Sequence, residues 1–555
     1  MSELLGGKAW LGEYEEGVRN RLTQYGPKEE KVVERLWAQD ASLWSEDKED
    51  RSNILNRLGW LTSPLTMQAR RAEMDCVRDA PYRDVVLLGM GGSSLAPEVF
   101  QRIFGNAEGA PRLHVLDNTA ADAVQALRDS LDLTQTMFII SSKSGTTEET
   151  RSFAEYFYEQ TGAAGEHFVV VTDPGSLLIQ QSEERGYSAL FMNPQDIGGR
   201  YSVLSFFGLV PATVIGMDVD KLLSRAEEEI RASIAAVPPA QNDALVLGVI
   251  MGEMVAVGRD KLTLIASPTV APFGDWAEQL VAESTGKRGV GILPVVGERI
   301  APPAAYGLDR FFVYLRLEGE GTHDEQVRAL KDAGQPVVQI DLQDVYDLGA
   351  QFWRWEFATA VAGAILGINP FNEPNVTESK NNTKRLLQQV QEEGQLPSPE
   401  VEVEGNGVRV SGDAAGNSPE EALRAFLDEV MEREYIAILA YVPMTSENEA
   451  ALRDLQAAIR DASGAATTLG FGPRFLHSTG QFHKGGPPQG RFIQIVTDDK
   501  VTVNIPGSPY DFSTLVRAQA IGDLEALERR DYPILRLHIP QNVAETISRL
   551  AAVLE

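Results

Sequence analysis

Two short stretches gather glycines, hydroxyls and a cation in a pattern suited to holding an anion. The apolar run Val85 to Leu88 ends in Gly89-Met90-Gly91-Gly92-Ser93-Ser94, and a helical pattern follows at once. A second run, MFII, ends in Ser141-Ser142-Lys143-Ser144-Gly145-Thr146-Thr147-Glu148-Glu149-Thr150. Glycines let backbone amides approach a ligand, and a helix start supplies partial positive charge. Hydroxyls and amides bond charged phosphate oxygens strongly, and Lys143 adds a point charge. Each stretch alone also reads as a tight turn or a helix cap, with Glu148 and Glu149 complementing the helix dipole. Two of them on one sheet make a phosphate cradle the better reading. Neither fits a dinucleotide GxGxxG or a Walker loop with its Lys, so no nucleotide cofactor is expected.

Such loops need strands and helices to present them. From Arg83 onward the short apolar runs VVLLGM, LHVLDN, MFIISS and FVVVTD alternate with amphipathic stretches, as buried parallel strands with helical crossovers do. A second series, LTLIAS, FFVYLRLE and PVVQIDL, begins near Lys261 and ends in the helix leading to GINPFNEPNVTESK. A third contains IAILAYV, FIQIVT, VTVNIPG and LRLHIP. A chain of 555 residues exceeds what one core usually serves. The predicted fold class is α/β, with two doubly wound parallel-sheet domains and a C-terminal α/β domain. A helical N-terminal arm is expected over 1–80, the sheet domains over 81–240 and 241–393, a linker or small β excursion over 394–414, and the last domain over 415–555.

Composition narrows the setting. Hydrophobic residues make up 43% and charged residues 23%, an ordinary balance for a soluble globular chain. The most apolar stretch, Val203 to Val219, is broken by Gly208, Pro211 and Gly216 and suits a core helix better than a membrane span. Cys76 is the single cysteine, so no internal disulfide and no thiolate zinc site can form. The N-terminus lacks the basic start and apolar core of a secretory signal, and a cytoplasmic location is expected. No His pair has metal-ligand spacing, so no metal is expected. A net charge of −30 disfavours nucleic acid and anionic membranes. An anionic substrate therefore needs a locally cationic pocket.

The two loops, GMGGSSLAP and SSKSGTTEET, resemble the paired loops of sugar isomerase domains, which bind phosphosugars. Three further segments narrow the likeness to the phosphoglucose isomerase family: Asp196-Ile197-Gly198-Gly199-Arg200-Tyr201-Ser202-Val203-Leu204-Ser205, then QLVAESTGK from Gln279 to Lys287, then NEPNVTESK from Asn372 to Lys380. LHSTGQ, with His477, resembles the family's LHSxGQ segment in a permuted place. The resemblance covers most of the chain and is nearest to the isomerase half of bifunctional transaldolase/phosphoglucose isomerases. No transaldolase barrel is expected, because about eighty residues precede the first Gly loop and a (β/α)8 barrel needs roughly 250.

That resemblance implies interconversion of glucose 6-phosphate and fructose 6-phosphate without metal or organic cofactor. It makes Glu283 the base that moves a proton between C2 and C1, and gives Arg200 with the Gly199 amide the enediolate oxygen. His477 and Lys380 open the sugar ring, with His483 a second candidate. Gly92, Ser93, Ser142, Lys143, Ser144, Thr146, Thr150, Gln279 and Glu373 bind substrate. Glu373 and Thr377 depart from the family's usual Gln and Glu. Family members are usually dimers, so a homodimer is compatible with the resemblance. Alternatives are an enzyme that also accepts mannose 6-phosphate and a regulator that binds sugar phosphates without turning them over.

Overall fold

In the computed structural model, which describes residues 4–554, the apolar runs become strands of three mostly parallel sheets. Strands Asp84–Leu88 and Thr136–Ser141 are buried along their whole length, so helices must cover both faces of their sheet. Its order is Arg112–Leu116, Asp84–Leu88, Thr136–Ser141, Phe168–Thr172, Ala189–Met192, with every pair parallel. The chain steps from Asp84–Leu88 to one side and then crosses to the other. Strand order therefore reverses between Asp84–Leu88 and Thr136–Ser141, the place where open α/β sheets bind ligands. The glycine turn and the hydroxyl-rich turn leave the carboxyl ends of these two strands.

The second sheet runs Ala9–Trp10, Val337–Leu342, Arg310–Leu317, Lys261–Ala266, Leu293–Val296. The N-terminal arm is thus not only helical: Ala9 and Trp10 pair antiparallel with Val338 and Val337 and satisfy an otherwise open edge. Helix Phe273–Thr285 follows strand Lys261–Ala266. Its Phe273, Trp276, Leu280 and Val281 sit in a core that continues into Val85 and Leu87 of the first sheet. One apolar core joins the two units, and the helix carrying Gln279 and Glu283 lies at their junction. Helix Phe206–Val214 is buried at every residue, as the apolar stretch around it requires. Among the described residues no helix is long and apolar enough to cross a membrane.

The third sheet runs Val403–Gly405, Val408–Gly412, Ile534–His538, Gly490–Val496, Tyr435–Tyr441, Ala466–Phe471. The stretch over 394–414 thus contains a β excursion, a hairpin that pairs antiparallel with Ile534–His538 and closes that edge. The run VTVNIPG does not join the sheet. Val503 and Ile505 are instead buried with Phe512 and Leu515 of helix Phe512–Glu528 and with Leu386 and Leu387 of helix Pro374–Glu393, against Val86 and Leu88. Alternating apolar residues demand a covered face, and a neighbouring helical layer supplies one as well as a sheet does; Pro506 also lacks the amide a central strand would use. The C-terminal domain is consequently strapped across the first sheet unit.

Candidate active site

Both anion loops, helix Phe273–Thr285, the start of helix Pro374–Glu393 and the turn Arg474–His477 converge on a cavity of 470 Å³. Ser141 Oγ donates to the Ser93 carbonyl at 2.9 Å and ties the two loops together. A Cβ on Gly92 would strike the Gly199 carbonyl, so the first loop can touch the Gly198-Gly199-Arg200 turn only as glycine. At Gly199 a Cβ would meet nothing, because that face is open.

The hydroxyl loop is ordered by its own side chains. Ser142 Oγ accepts from the Gly145 amide at 3.2 Å and donates to Thr147 Oγ1 at 3.4 Å, while Ser144 Oγ accepts from the Thr146 amide at 3.2 Å. Gly145 has φ +69°, a conformation that favours glycine. Ser93, Lys143, Ser144 and Thr147 line the cavity, beside the N-terminus of helix Glu148–Gln160. Ser142 is buried and shapes the loop without lining the cavity. Thr146 lines an adjoining cavity, and Thr150 is buried inside the first helical turn with an unpartnered hydroxyl, lining neither. Thr147, at the N-cap, lines both cavities. Lys143 pairs with Asp173 and donates to the Gln195 carbonyl at 3.2 Å, and Arg57 adds a second cation to this end.

At the other end Glu283 is held from both sides. Its Oε1 lies 3.1 Å from Arg200 Nη1, and its Oε2 accepts from Gln279 Nε2 at 3.1 Å, one helical turn away. Arg200 is itself fixed: Nε donates to Ser284 Oγ at 2.7 Å, Nη2 to the carbonyls of Pro370 and Asn372 at 2.7 and 3.0 Å, and Nη1 to Glu373 Oε2 at 3.2 Å. Burial, with help from Glu373, raises the Glu283 carboxyl above its ordinary value even though Arg200 and Gln279 oppose the shift. A carboxylate so placed is a stronger base than a solvated one. Lys287 is buried and donates to the Asn369 carbonyl at 2.7 Å, so together with Arg200 it clamps the loop leading to Glu373.

His477 reaches the cavity from the C-terminal domain. Its Nε2 lies 3.0 Å from Glu149 Oε1, which also accepts from Gln519 Nε2 at 2.6 Å; Gln519 Oε1 accepts from Thr119 Oγ1 at 2.8 Å. Its carbonyl accepts from Gln279 Nε2 at 2.8 Å. In the same turn, Arg474 pairs with Asp117 at 2.8 Å and Glu98 at 2.7 Å. Burial raises Glu149, but the charge and hydrogen bond of His477 outweigh it and hold the carboxyl below its ordinary value. The dipole partner expected of Glu149 is instead a buried brace for an imidazole. Lys380 lines the cavity from the exposed side of its helix and has no ion pair among the described residues.

His483 does not reach this cavity. It is buried, with Nδ1 3.0 Å from the Tyr435 hydroxyl, and burial followed by the charge of Lys484 pushes it down to about 3. It stays neutral near neutral pH and carries no proton for the site. The cavity thus gathers Gly92, Ser93, Lys143, Ser144, Gly199, Arg200, Gln279, Glu283, Glu373, Lys380 and His477. Arg57, Thr147 and Glu149 are additions from the structure. Only Thr147 left a sequence signal, its preference as an N-cap hydroxyl.

The arrangement offers an anion cradle at one end, a clamped carboxylate beside a fixed guanidinium at the other, and an imidazole with an ammonium between them. The family model described as phosphoglucose isomerase matches residues 68–292. A glucose-6-phosphate isomerase from Rubrobacter xylanophilus is 29% identical over 390 residues, covering 59% of this chain and 88% of that protein. One from Thermus thermophilus is 27% identical over 424 residues, covering 67% and 97%. Among solved structures, a hypothetical protein from Thermus thermophilus is similar at a TM-score of 0.58 and 26% identity, over 67% of this chain and 97% of that one. The fold is also that of a glucose-6-phosphate isomerase from Chlamydia trachomatis, at a TM-score of 0.53 and 19% identity over 68% and 85%. Residues 68–292, which the phosphoglucose isomerase family model matches, include both anion loops, Arg200 and Glu283.

Proposed function

We propose that the protein interconverts glucose 6-phosphate and fructose 6-phosphate through an enediolate, as a cytoplasmic enzyme of glycolysis and gluconeogenesis. The observation that carries this reading is Glu283, held between Arg200 and Gln279 on the wall of the cavity that the two anion loops also line. Phosphate at Ser93, Lys143, Ser144 and Thr147 anchors the end of the sugar that does not react, so remote binding energy positions C1 and C2. His477 and Lys380 open the ring by taking the proton from the anomeric hydroxyl and delivering one to the ring oxygen. Glu283 then removes the C2 proton. Negative charge grows on the oxygen of C1, where Arg200 and the Gly199 amide stabilise it. As the C2 hydroxyl gives up its proton and the C1 oxygen takes one, return of the proton from Glu283 to C1 gives the ketose, and no electron leaves the substrate.

The test is Glu283→Gln, which keeps shape and hydrogen bonding but removes the base. Isomerisation measured in both directions by coupled assay should fall by about 10³-fold or more, within what positioned acid-base groups contribute, while fructose 6-phosphate still binds by calorimetry. Turnover within tenfold of the parent would overturn the assignment.

A further inference from the structure

The C-terminal sheet carries a cationic recess that shares no lining residue with the active-site cavity. Arg409 and Ser411 of strand Val408–Gly412 stand directly opposite His538 and Arg536 of strand Ile534–His538, so all four side chains project from one face. Gln494 and Tyr441 continue that face on the next strands. Helix Phe512–Glu528 lays Arg517 over it, and Pro397, Ser398 and Pro399 close one side, leaving a cavity of 310 Å³.

The charges in this recess do not balance. Arg536 is half-buried, and its Nη1 donates to the neutral Gln494 Oε1. Neither Arg536 nor Arg517 has an ion-pair partner among the described residues. Nearby carboxylates are engaged elsewhere: Asp498 with His538 at 3.0 Å, Glu404 with Arg409 at 3.3 Å, Asp523 with Lys484 at 2.6 Å. Glu528 reaches Arg536 only through space. Burial above all, offset by Tyr441 and reinforced by Arg517, lowers the Arg536 guanidinium to about 10. The Tyr441 hydroxyl, 4% exposed as a residue, lines the same recess and has no hydrogen-bond partner. Withdrawing a cation from water without a counter-charge, and a hydroxyl without a partner, is costly. A molecule whose net charge is −30 has ample carboxylate to spare for pairing, yet the one carboxylate lining this recess, Asp498, pairs with His538, and none pairs with Arg536 or Arg517.

We propose that this recess is a second anion site, taking a small compound that carries a phosphate or diphosphate group. Guanidinium forks match phosphate oxygens in pairs, and the Tyr441 and Ser411 hydroxyls supply further donors. Inorganic pyrophosphate is a suitable probe, titrated calorimetrically into the full-length chain at low salt with saturating fructose 6-phosphate occupying the first site. One pyrophosphate should bind. Arg536→Gln and, separately, the exposed Arg517→Ala should each weaken it about tenfold or more, the scale of a charge-assisted hydrogen bond. Isomerase kinetics should stay unchanged in both variants. The Arg536→Gln protein without pyrophosphate should melt no lower than the parent, since it no longer sequesters an unpaired cation, and should lose the pyrophosphate-dependent rise in Tm. No binding under these conditions, or binding that both substitutions leave intact, overturns the site. If fructose 6-phosphate fails to block the first site, the titration shows two pyrophosphates of which one ignores Arg536→Gln, so failure of the isomerase reading looks different.

Discussion

Glu149→Gln isolates the work of one buried charge. Glu149 Oε1 lies 3.0 Å from His477 Nε2 and accepts from Gln519 Nε2 at 2.6 Å, and its carboxyl is held below the ordinary range, so it is ionised at neutral pH. Glutamine preserves volume but brings an amide against the Gln519 amide and imidazole. The loss is one charge-assisted hydrogen bond, about 1.5–3 kcal/mol. If that bond holds His477 in the orientation that moves the ring proton, turnover of cyclic fructose 6-phosphate falls by about 10-fold to 150-fold, at tenfold per 1.36 kcal/mol. The assay is steady-state isomerisation of cyclic substrate beside exchange of the C2 proton in an open-chain analogue, with Tm recorded for both proteins. Exchange in the analogue should change by less than about threefold, a factor worth under 1 kcal/mol. Equal losses on both substrates would refute the reasoning, because a bond that only stabilises the fold or the phosphate loop cannot tell a ring from an open chain. A loss below about threefold on cyclic substrate would refute it too, by showing His477 oriented without the charge.

Mixing Glu283→Gln with His477→Ala proteins should give no activity above the sum of the two, because one chain supplies both side chains to its cavity; recovery on mixing would mean His477 is lent to a neighbour. Glu373→Gln removes a negative charge that helps raise Glu283, so the acid limb of kcat/KM should move to lower pH. An unmoved or raised limb would show that Glu373 does not act on the base. Glu356 is buried with Oε1 unpartnered, and burial alone raises its carboxyl well above 4.5. Its folded form therefore keeps a proton that the unfolded chain releases, and it costs stability progressively as pH rises above 4.5. Glu356→Gln should raise Tm at neutral pH and have little effect near pH 4; a lower Tm at neutral pH would contradict this. Gly92→Ala should abolish turnover and lower Tm, since its Cβ meets the Gly199 carbonyl; a fully active variant would show that the two turns move apart freely.

What the sequence made legible was chemistry that lies close together along the chain. Gly92, Ser93, Lys143 and Ser144 announce themselves by composition on short turns, and the reversal of strand order then brings the turns side by side. Glu283 and Gln279, four residues apart, share one helix face, so their pairing follows from helix geometry. Glu149 was opaque for the opposite reason. An acid in the first turn of a helix is already explained by the dipole. Only tertiary structure delivers His477 and Gln519, 328 and 370 residues further on. Thr146, Thr147 and Thr150 differ in the direction each hydroxyl takes, which the backbone at the N-cap decides and composition does not. The run VTVNIPG misled because alternation reports a buried face and is silent on whether a strand or a helix layer buries it.

The placement of His477 also explains why the C-terminal domain is anchored so heavily at one turn. On the proposed mechanism, ring opening needs the imidazole fixed to within a fraction of an ångström of a sugar oxygen, and a domain attached by a short linker would not hold it there by apolar contact alone. Arg474, in the same turn, is half-buried against Asp117 and Glu98, both belonging to the first sheet unit, and the His477 carbonyl receives the amide of Gln279, whose other contact is Glu283. Opening this junction would leave buried Asp117 without its cation and half-buried Arg474 without either carboxylate, and removing one partner of a buried pair costs about 3–5 kcal/mol. Gly91, with φ +57°, has no Cβ to collide with the His477 backbone. The same contacts that seat the domain therefore set the distance between the His477 imidazole and the Glu283 carboxylate, so on the proposed mechanism the two halves of the reaction share one rigid reference, the amide of Gln279.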